Sequence, residues 1–532
     1  MRNARPLLAA AALAVLTTGA AYAFGPDAKP ARPKAADRPA TAADPAAGPA
    51  APGAQQCATS VKFPKRQLRG VWIATVKNID WPSRTGLTPA QQQAEYVKIL
   101  DNAVKRRLNA VFVQVRPASD ALYKSELEPW SQYLTGTAGK NPGWDPLPFL
   151  IAEAHRRGLE FHAWFNPYRA SEGDVGGLPA NHPARRHPEW IVKYEGRAYY
   201  NPGLPAVREH VTGVIKDVVS RYDVDGIHFD DYFYPYPGSS GAKFADDAAF
   251  AKYGKGAALA DWRRANVNKL VAQVDEVVHE TKSHVKFGIS PFGIWRNKSN
   301  DPAGSATGGM SAYDAIYADA RQWIRKGTVD YVMPQLYWPR GFKAADYDVL
   351  MPWWADLVKG TDVHLYIGQG LYRVGTTDTP AWTKPGELPS HLTANRKHKQ
   401  VDGDVYFSAK QILTNPLGVM DRIAKDHYSR PALLPLMKER GGQAPAKPAD
   451  ARLQGTSLSW KPSEGARSYA VYRVASGKSG PCATADARNL VAVVAATDGE
   501  RQSFTVQDGG TYLVTALDRL HNESDATTVT GA

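Results

Sequence analysis

The sequence predicts an α/β chain, a closed (β/α)8 TIM barrel followed by a small all-β sandwich. Three observations carry that expectation. Apolar strand-like runs recur eight times between residues 69 and 409, helical patterns fill the intervals, and beyond residue 450 only short alternating or β-rich runs remain. Strands alternating with helices imply a parallel sheet, and eight units over about 370 residues suit a closed barrel better than an open doubly wound sheet. No G-x-G-x-x-G follows the first run, which counts against a dinucleotide fold.

The runs are RGVWIATV (69–76), NAVFVQVR (109–116), LEFHAWFNP (159–167), GIHFDDY (226–232), VKFGISPF (285–292), DYVMPQLYW (330–338), HLYIGQGLY (364–372) and DVYFSA (404–409). Between them, TPAQQQAEYVKILDNAVKRRL, PLPFLIAEAHRRG, AVREHVTGVIKDVVSRY, LADWRRANVNKLVAQVDEVVHETK and AYDAIYADARQWIRKG repeat apolar residues every three or four positions, the pattern of helices with one buried face.

The ends of the chain set the compartment. Residues 1–23 combine Arg2 and Arg5, the apolar run LLAAAALAVL and a small-residue end at Ala21-Tyr22-Ala23, as a secretory signal peptide cleaved after Ala23 does. Export to the cell exterior or wall is therefore expected. Residues 24–60, mostly Ala, Pro, Gly and Asp, hold too few large apolar groups to repay ordering and read as a disordered tether. No later run approaches the roughly 20 apolar residues of a membrane span, so no stable membrane insertion is expected.

The remainder divides into a barrel domain over 61–437, the linker KERGGQAPAKPAD over 438–450, and a β-sandwich over 451–532. LSWKPSEGARSYAVYRV, LVAVVAATD and GGTYLVTALDRLHNESD supply the sandwich strands. Cys57 and Cys482 are the two cysteines, compatible with one disulfide in an exported chain or with two free thiols, and they lack the CxxC spacing of a metal site. The net charge of +13 is spread out, with no basic block or nucleic-acid motif, and suits solubility or attraction to an anionic cell wall rather than binding to nucleic acid.

TIM-barrel active sites lie at the C-terminal ends of the strands and in the loops that follow. Period-2 alternation then selects the inward residues. In GIHFDDY, His228, Asp230 and Tyr232 face the barrel axis, while Ile227, Phe229 and Asp231 do not. Gln114 and Arg116 face inward in the second run, His162, Trp164 and Asn166 in the third, and Gln335 and Tyr337 in the sixth. This inward face is polar and aromatic where a merely structural barrel would carry branched aliphatics.

Such groups suit glycoside cleavage, which uses one protonated carboxyl and one ionised carboxylate. Asp230 is the leading catalytic candidate, its proton tuned by His228 and Arg116. Asp231, if the backbone bends after the strand, or Asp120 in RPASDALYKS supplies the second carboxyl; Asp80 in NIDWPS is a weaker candidate and is otherwise placed with the substrate. Candidate substrate contacts are Asp80, Trp81, Arg116, His162, Trp164, Asn166, Tyr168, His228, Tyr232, Tyr234, Trp295, Gln335, Tyr337 and Trp338. Asp residues at strand ends are also frequent caps and turn formers. Asp223, Asp225 and Asp330 precede their strands, at the end of the barrel that serves stability. No metal or other cofactor is expected.

RGVWIATVKNIDWPS, FVQVRPASDALYKSELEPWS, FHAWFNPYR, GIHFDDYFYPYP, ISPFGIWRN, VMPQLYW and GDVYFSAKQILTNPLG resemble, in order, the motifs of the glycosyl-hydrolase-like 10 family of exported bacterial proteins. The resemblance implies a (β/α)8 hydrolase whose partner is cell-wall glycan, peptidoglycan strands stripped of stem peptides among its substrates. The Trp460 and Tyr469/Tyr472 runs similarly resemble strands B and C of fibronectin type III modules. DGIHFDDY is also similar in layout to the DGxDxDxE signature of chitinase-type glycosidases, but Tyr232 stands where that signature has its Glu acid. Two other readings compete: a glycan-binding barrel without turnover, and a metal-dependent deacetylase or amidohydrolase built on His162, His228 and Asp230.

Overall fold

The computed structural model describes Cys57 and residues 63–475, 480–507 and 509–531. The leader-like segment and, apart from Cys57, the expected tether lie outside the described residues. The barrel and the sheets that follow it belong to one compact unit.

Eight parallel strands close the barrel: β1 (Leu68–Ile73), β2 (Ala110–Arg116), β3 (Glu160–Phe165), β4 (Gly226–Phe229), β5 (Lys286–Ile289), β6 in two pieces (Tyr331–Val332 and Gln335–Leu336), β7 (His364–Gln369) and β8 (Val401–Tyr406). β8 returns to β1 with Val405 opposite Gly70. The break in β6 falls at Met333-Pro334, where proline has no N–H to give the ladder.

The helices Pro89–Lys105, Pro146–Arg156, Pro205–Arg221 and Leu259–Thr281 form where the apolar spacing predicts them. Thr88 and Gln91 close a capping box at the start of the first. The run AYDAIYADARQWIRKG is not one helix but two, Ala312–Ala315 and Ala320–Lys326, because the Asp319 side chain accepts from Gln322 N and starts a new one.

Alternation divides the apolar residues between two cores. Val111, Val113, Val115, Ile227 and Phe229 join helix residues such as Ile99, Leu150, Ile215 and Val271 outside the sheet. Trp72, Phe112, Trp164, Tyr331, Tyr366 and Val405 fill the lumen. Large rings fit there because two strands carry glycine beside them. A Cβ on Gly226 would stand 2.2 Å from His162 Nδ1, and one on Gly288 would stand 2.2 Å from the Tyr331 ring.

Between β3 and β4 the chain adds a small antiparallel sheet of Arg169–Ser171, Ile191–Tyr194 and Arg197–Tyr200. These short strands are absent from the sequence expectation, since no apolar run as long as a barrel strand marks them.

Beyond the barrel, Ala449–Gln454, Ser457–Lys461 and Gln502–Thr505 form one antiparallel sheet. Leu490–Ala495, Ser468–Val474, Thr511–Leu517 and Thr527–Thr530 form another. Trp460, Tyr469, Val471 and Val514 share the core between them. The first of these strands begins at Ala449, just inside the expected linker. Cys57 and Cys482 are both disulfide-bonded.

This C-terminal region closes the N-terminal end of the barrel. His521 Nε2 lies 2.7 Å from Glu160 Oε1 at the start of β3, and Lys286 at the start of β5 bonds the same oxygen. Arg519 pairs with Asp223 at 2.8 Å, and Arg440 with Asp330. Asp225 accepts from Phe161 N at 2.8 Å and meets His155 at 2.7 Å, which fits the stabilising role expected of the carboxylates before the strands. A cavity of ≈ 240 Å³ lies along this seam, lined by Asn109 and Asp225 of the barrel and Arg467 and Arg519 of the sheets. It is at the opposite end from Asp230.

Candidate active site

The β4 strand ends at Phe229, so Asp230 and Asp231 stand just past the ladder, where alternation no longer dictates direction. The turn lets both carboxyls serve the barrel mouth. Asp230 leans toward β3, where Trp164 Nε1 donates to its Oδ2 at 2.9 Å and Asn166 Nδ2 donates to the same oxygen at 3.1 Å. Tyr232 N donates to Oδ1 at 3.1 Å. Asn166 Oδ1 accepts from Arg169 N at 2.9 Å, which leaves the amide nitrogen facing Asp230.

Asp231 leans the other way, toward β5 and β6. Its Oδ1 accepts from Gln335 Nε2 at 2.9 Å, and its Oδ2 bonds the Tyr236 hydroxyl. Gln335 Nε2 also donates to Ser290 O at 2.9 Å, which fixes that amide's orientation. The expectation that Asp231 points away from the axis is thus corrected, because the strand ends one residue before the pair.

Burial raises both carboxyls above the usual range. Asp230 is pushed up to about 6, first by desolvation and then by the Asp231 charge, while Arg169 opposes the rise. Asp231 is also raised by burial, against the bonds from Tyr236 and Gln335. The guanidinium of Arg169 lies 4.5 Å from the centre of the Tyr232 ring and pairs with Glu172 at 2.8 Å. Arg169 was not singled out in the sequence, though it ends the quoted FHAWFNPYR.

An aromatic arc borders the pair. Tyr232, 37% exposed, meets Tyr236 edge-on at 5.4 Å, Tyr236 meets Phe292 at 6.1 Å, and Phe292 meets Trp338 at 5.4 Å. Half-buried Tyr337 touches Tyr372 at 5.7 Å and Phe407 at 6.3 Å. The rings therefore follow the mouth from β4 to β8. Tyr236 belongs to the YFYPYP rings whose place directly after the carboxylates favours a substrate-lining role, whereas Phe292, Tyr372 and Phe407 were missed; their position toward the C-terminal ends of strand runs is the signal that marks them.

The family profile described as Glycosyl hydrolase-like 10 matches residues 67–384, from β1 through the loop after β7. The chain belongs to the glycosyl hydrolase-like 10 family. It is 47% identical over 481 residues to the glycosyl hydrolase YngK of Bacillus subtilis (strain 168), spanning 87% of this chain and 92% of that one. It is 43% identical over 364 residues to the glycosyl hydrolase DigH of Escherichia coli (strain K12), spanning 64% and 82%. The solved glycoside hydrolase domain of PgaB (BpsB) from Bordetella bronchiseptica aligns with TM-score 0.46 and 13% identity over 68% of this chain and 99% of that one. The protein is a glycoside hydrolase, and its substrate is a glycan.

Several residues proposed for this hydrolase's site hold structural posts instead. Arg116 is fully buried and committed to Glu128 through two bonds of 2.7 and 2.5 Å and to Asn166 O at 2.5 Å, so it braces the end of β3 rather than tuning Asp230. Asp80 caps the helix Ala409–Thr414 and ties β1 to β8, accepting from Lys410 N, Ala74 N and the Ser408 hydroxyl. Asp120 accepts from Ala118 N at 2.9 Å within its own turn. Burial pushes Asp80 and Asp120 to about 6 as well, so proton affinity alone does not select the catalytic pair. Position does: Asp230 and Asp231 stand side by side past the end of β4, and they accept from the side chains of Trp164, Asn166 and Gln335 at the barrel mouth.

Trp81 packs on Tyr96 with its indole bonded to Gln92 O, and Tyr168 is fully buried in the outer core. Tyr234 packs between Phe244 and Tyr317, while Trp295 bonds Asp319 and stacks on Trp353. None of these four faces the carboxyl pair as expected, because each ring has its apolar face covered by the core or a loop.

His162 and His228 lie in the lumen below Asp230. Both contact the Tyr331 hydroxyl, at 3.1 and 3.2 Å, and His228 Nε2 also meets Trp72 Nε1 at 3.2 Å and Ser290 Oγ at 3.0 Å. Desolvation holds His228 well below its ordinary pKa. These are buried supports rather than substrate contacts. Among the described residues no group of three His, Cys, Asp or Glu side chains is arranged to hold a metal ion.

Proposed function

We propose that this hydrolase acts outside the cytoplasm on the amino-sugar strands of peptidoglycan stripped of stem peptides, with Asp230 as its ionised carboxylate and Asp231 as its acid. The observation that carries the assignment is the difference between the two hydrogen-bond shells. Asp230 meets an indole N–H, an amide NH2 and a backbone N–H, which are donors only. A proton on Asp230 finds no acceptor in this shell, so the carboxylate form fits it. Asp231 meets the Tyr236 hydroxyl, which can accept as well as donate, so a proton on Asp231 is accommodated.

Two adjacent buried carboxyls also resist ionising together, and one proton shared by the pair suits the acid and base roles. Asp231 then protonates the leaving glycosidic oxygen. Asp230 directs its negative charge to the anomeric centre or to the water that attacks it. The rings around the mouth offer flat faces to sugars. The leader-like residues 1–23 and the net charge of +13 support export and attraction to an anionic wall. We read the C-terminal pair of sheets as a fibronectin type III-like module that rests on the barrel.

The test incubates purified protein and Asp230→Asn with peptidoglycan strands lacking stem peptides and measures new reducing ends. Wild type is expected to release them, and Asp230→Asn to lose at least about 100-fold in rate. A wild type that sediments with the strands yet releases no ends would overturn the substrate proposal.

A further inference from the structure

We propose that Tyr372 forms a sugar-stacking subsite across the mouth from Asp230, which makes the hydrolase read more than the sugars flanking the scissile bond. The inference rests on the proposed amino-sugar substrate. Aromatic rings carry a large apolar surface, and a ring held in place with part of that surface in water at the mouth of a hydrolase is positioned to contact substrate. Among the described residues the exposed large hydrophobic side chains include two aromatic rings, Tyr232 at 37% and Tyr372 at 38%. Both follow barrel strands at the C-terminal mouth, Tyr232 after β4 and Tyr372 after β7.

Tyr372 is held by two rings perpendicular to it. Tyr337 meets it at 5.7 Å and 84°, and Phe407 at 6.0 Å and 86°. Its backbone N–H donates to Phe407 O at 3.0 Å, tying the loop after β7 to the end of β8. Arg373 covers it at 5.9 Å and is itself paired with Asp378 at 2.6 Å. With 38% of Tyr372 left exposed, ring surface remains open at the mouth to receive the C–H face of a pyranose. Phe407 in turn packs on Trp72 in the lumen at 6.1 Å, so the platform is continuous with the rigid barrel core.

β4 and β7 are three strands apart around an eight-stranded ring, with the carboxyl pair beside the former. A glycan lying over Tyr232 and Asp230 must therefore cross the mouth to reach Tyr372. That separation calls for additional sugars on one side of the cleaved bond, and it predicts a preference for longer strands.

The experiment measures kcat and KM of wild type, Tyr372→Ala and Tyr372→Trp on stem-peptide-free glycan strands fractionated by length. Wild type is expected to show KM falling as strands lengthen. Tyr372→Ala should raise KM on long strands roughly 3- to 10-fold, the size of one aromatic contact, with kcat nearly kept, and Tyr372→Trp should restore it. Equal KM values for wild type and Tyr372→Ala at every length would overturn the subsite. A fall in kcat alone, unrescued by Trp, would also overturn it. If wild type cleaves a different glycan, the substrate proposal fails by itself, and the same length series on that glycan decides the subsite.

Discussion

Replacing Trp164 by Phe removes one donor from Asp230 while keeping an aromatic ring in the lumen. The indole N–H lies 2.9 Å from Asp230 Oδ2 and bonds the charged form. A hydrogen bond to a charged group is worth about 1.5–3 kcal/mol, and one pKa unit corresponds to about 1.4 kcal/mol. Because Asn166 and Tyr232 N still donate, the lower figure applies, and the Asp230 pKa should rise by about one unit. The sign follows from the role assigned to Asp230. It works ionised, so activity is lost as pH falls through its pKa, and raising that pKa moves the acid limb to higher pH. The assay is kcat/KM for reducing-end release across pH 4–9. An acid limb that stays in place, or an alkaline limb that moves instead, would refute the ionised role of Asp230.

Asp231→Asn should lower the rate on glycan strongly while sparing an aryl glycoside, whose leaving group needs little protonation; equal losses on both would argue against Asp231 as the acid. Lys286→Met leaves buried Glu160 without its ammonium partner and should destabilise the chain by about 3–5 kcal/mol in urea unfolding, with Glu160→Gln in the same chain recovering most of it. Arg116→Met should act likewise through stranded Glu128, lowering stability without shifting the pH profile, since Arg116 has no bond to Asp230 among its contacts. Exhaustive chelation should leave the rate unchanged, and a loss restored by added zinc would revive the metal-dependent reading.

Much of the barrel was legible because burial imposes a period. Val111, Val113 and Val115 face the helices and Phe112 faces the lumen, as alternation in NAVFVQVR requires. The eight runs became eight strands, and the long amphipathic stretches became helices within a few residues of the expected limits. The AYDAIYADARQWIRKG run split because Asp319 offers a local cap that periodicity does not count. The carboxyl pair was legible through its place after a strand. Asp231's direction was not, since a residue past the last ladder bond is free to turn.

Side-chain partners distant in sequence were beyond reach. Arg116 and Asp80 looked like site residues because their strand positions were right, but Glu128 and Lys410 claim them. Tyr372 looked like any ring after a strand until Tyr337 and Phe407 set its orientation. By itself the sequence determined the barrel, the sheets that follow it and the β4 position of the carboxyls, because period and composition are local properties. Only the tertiary structure decided which charges are spent on bracing, which rings stay open to sugar, and that Asp230 and Asp231 sit in unlike shells. Those properties depend on groups brought together by chain closure, and a neighbour hundreds of residues away leaves no mark on local pattern.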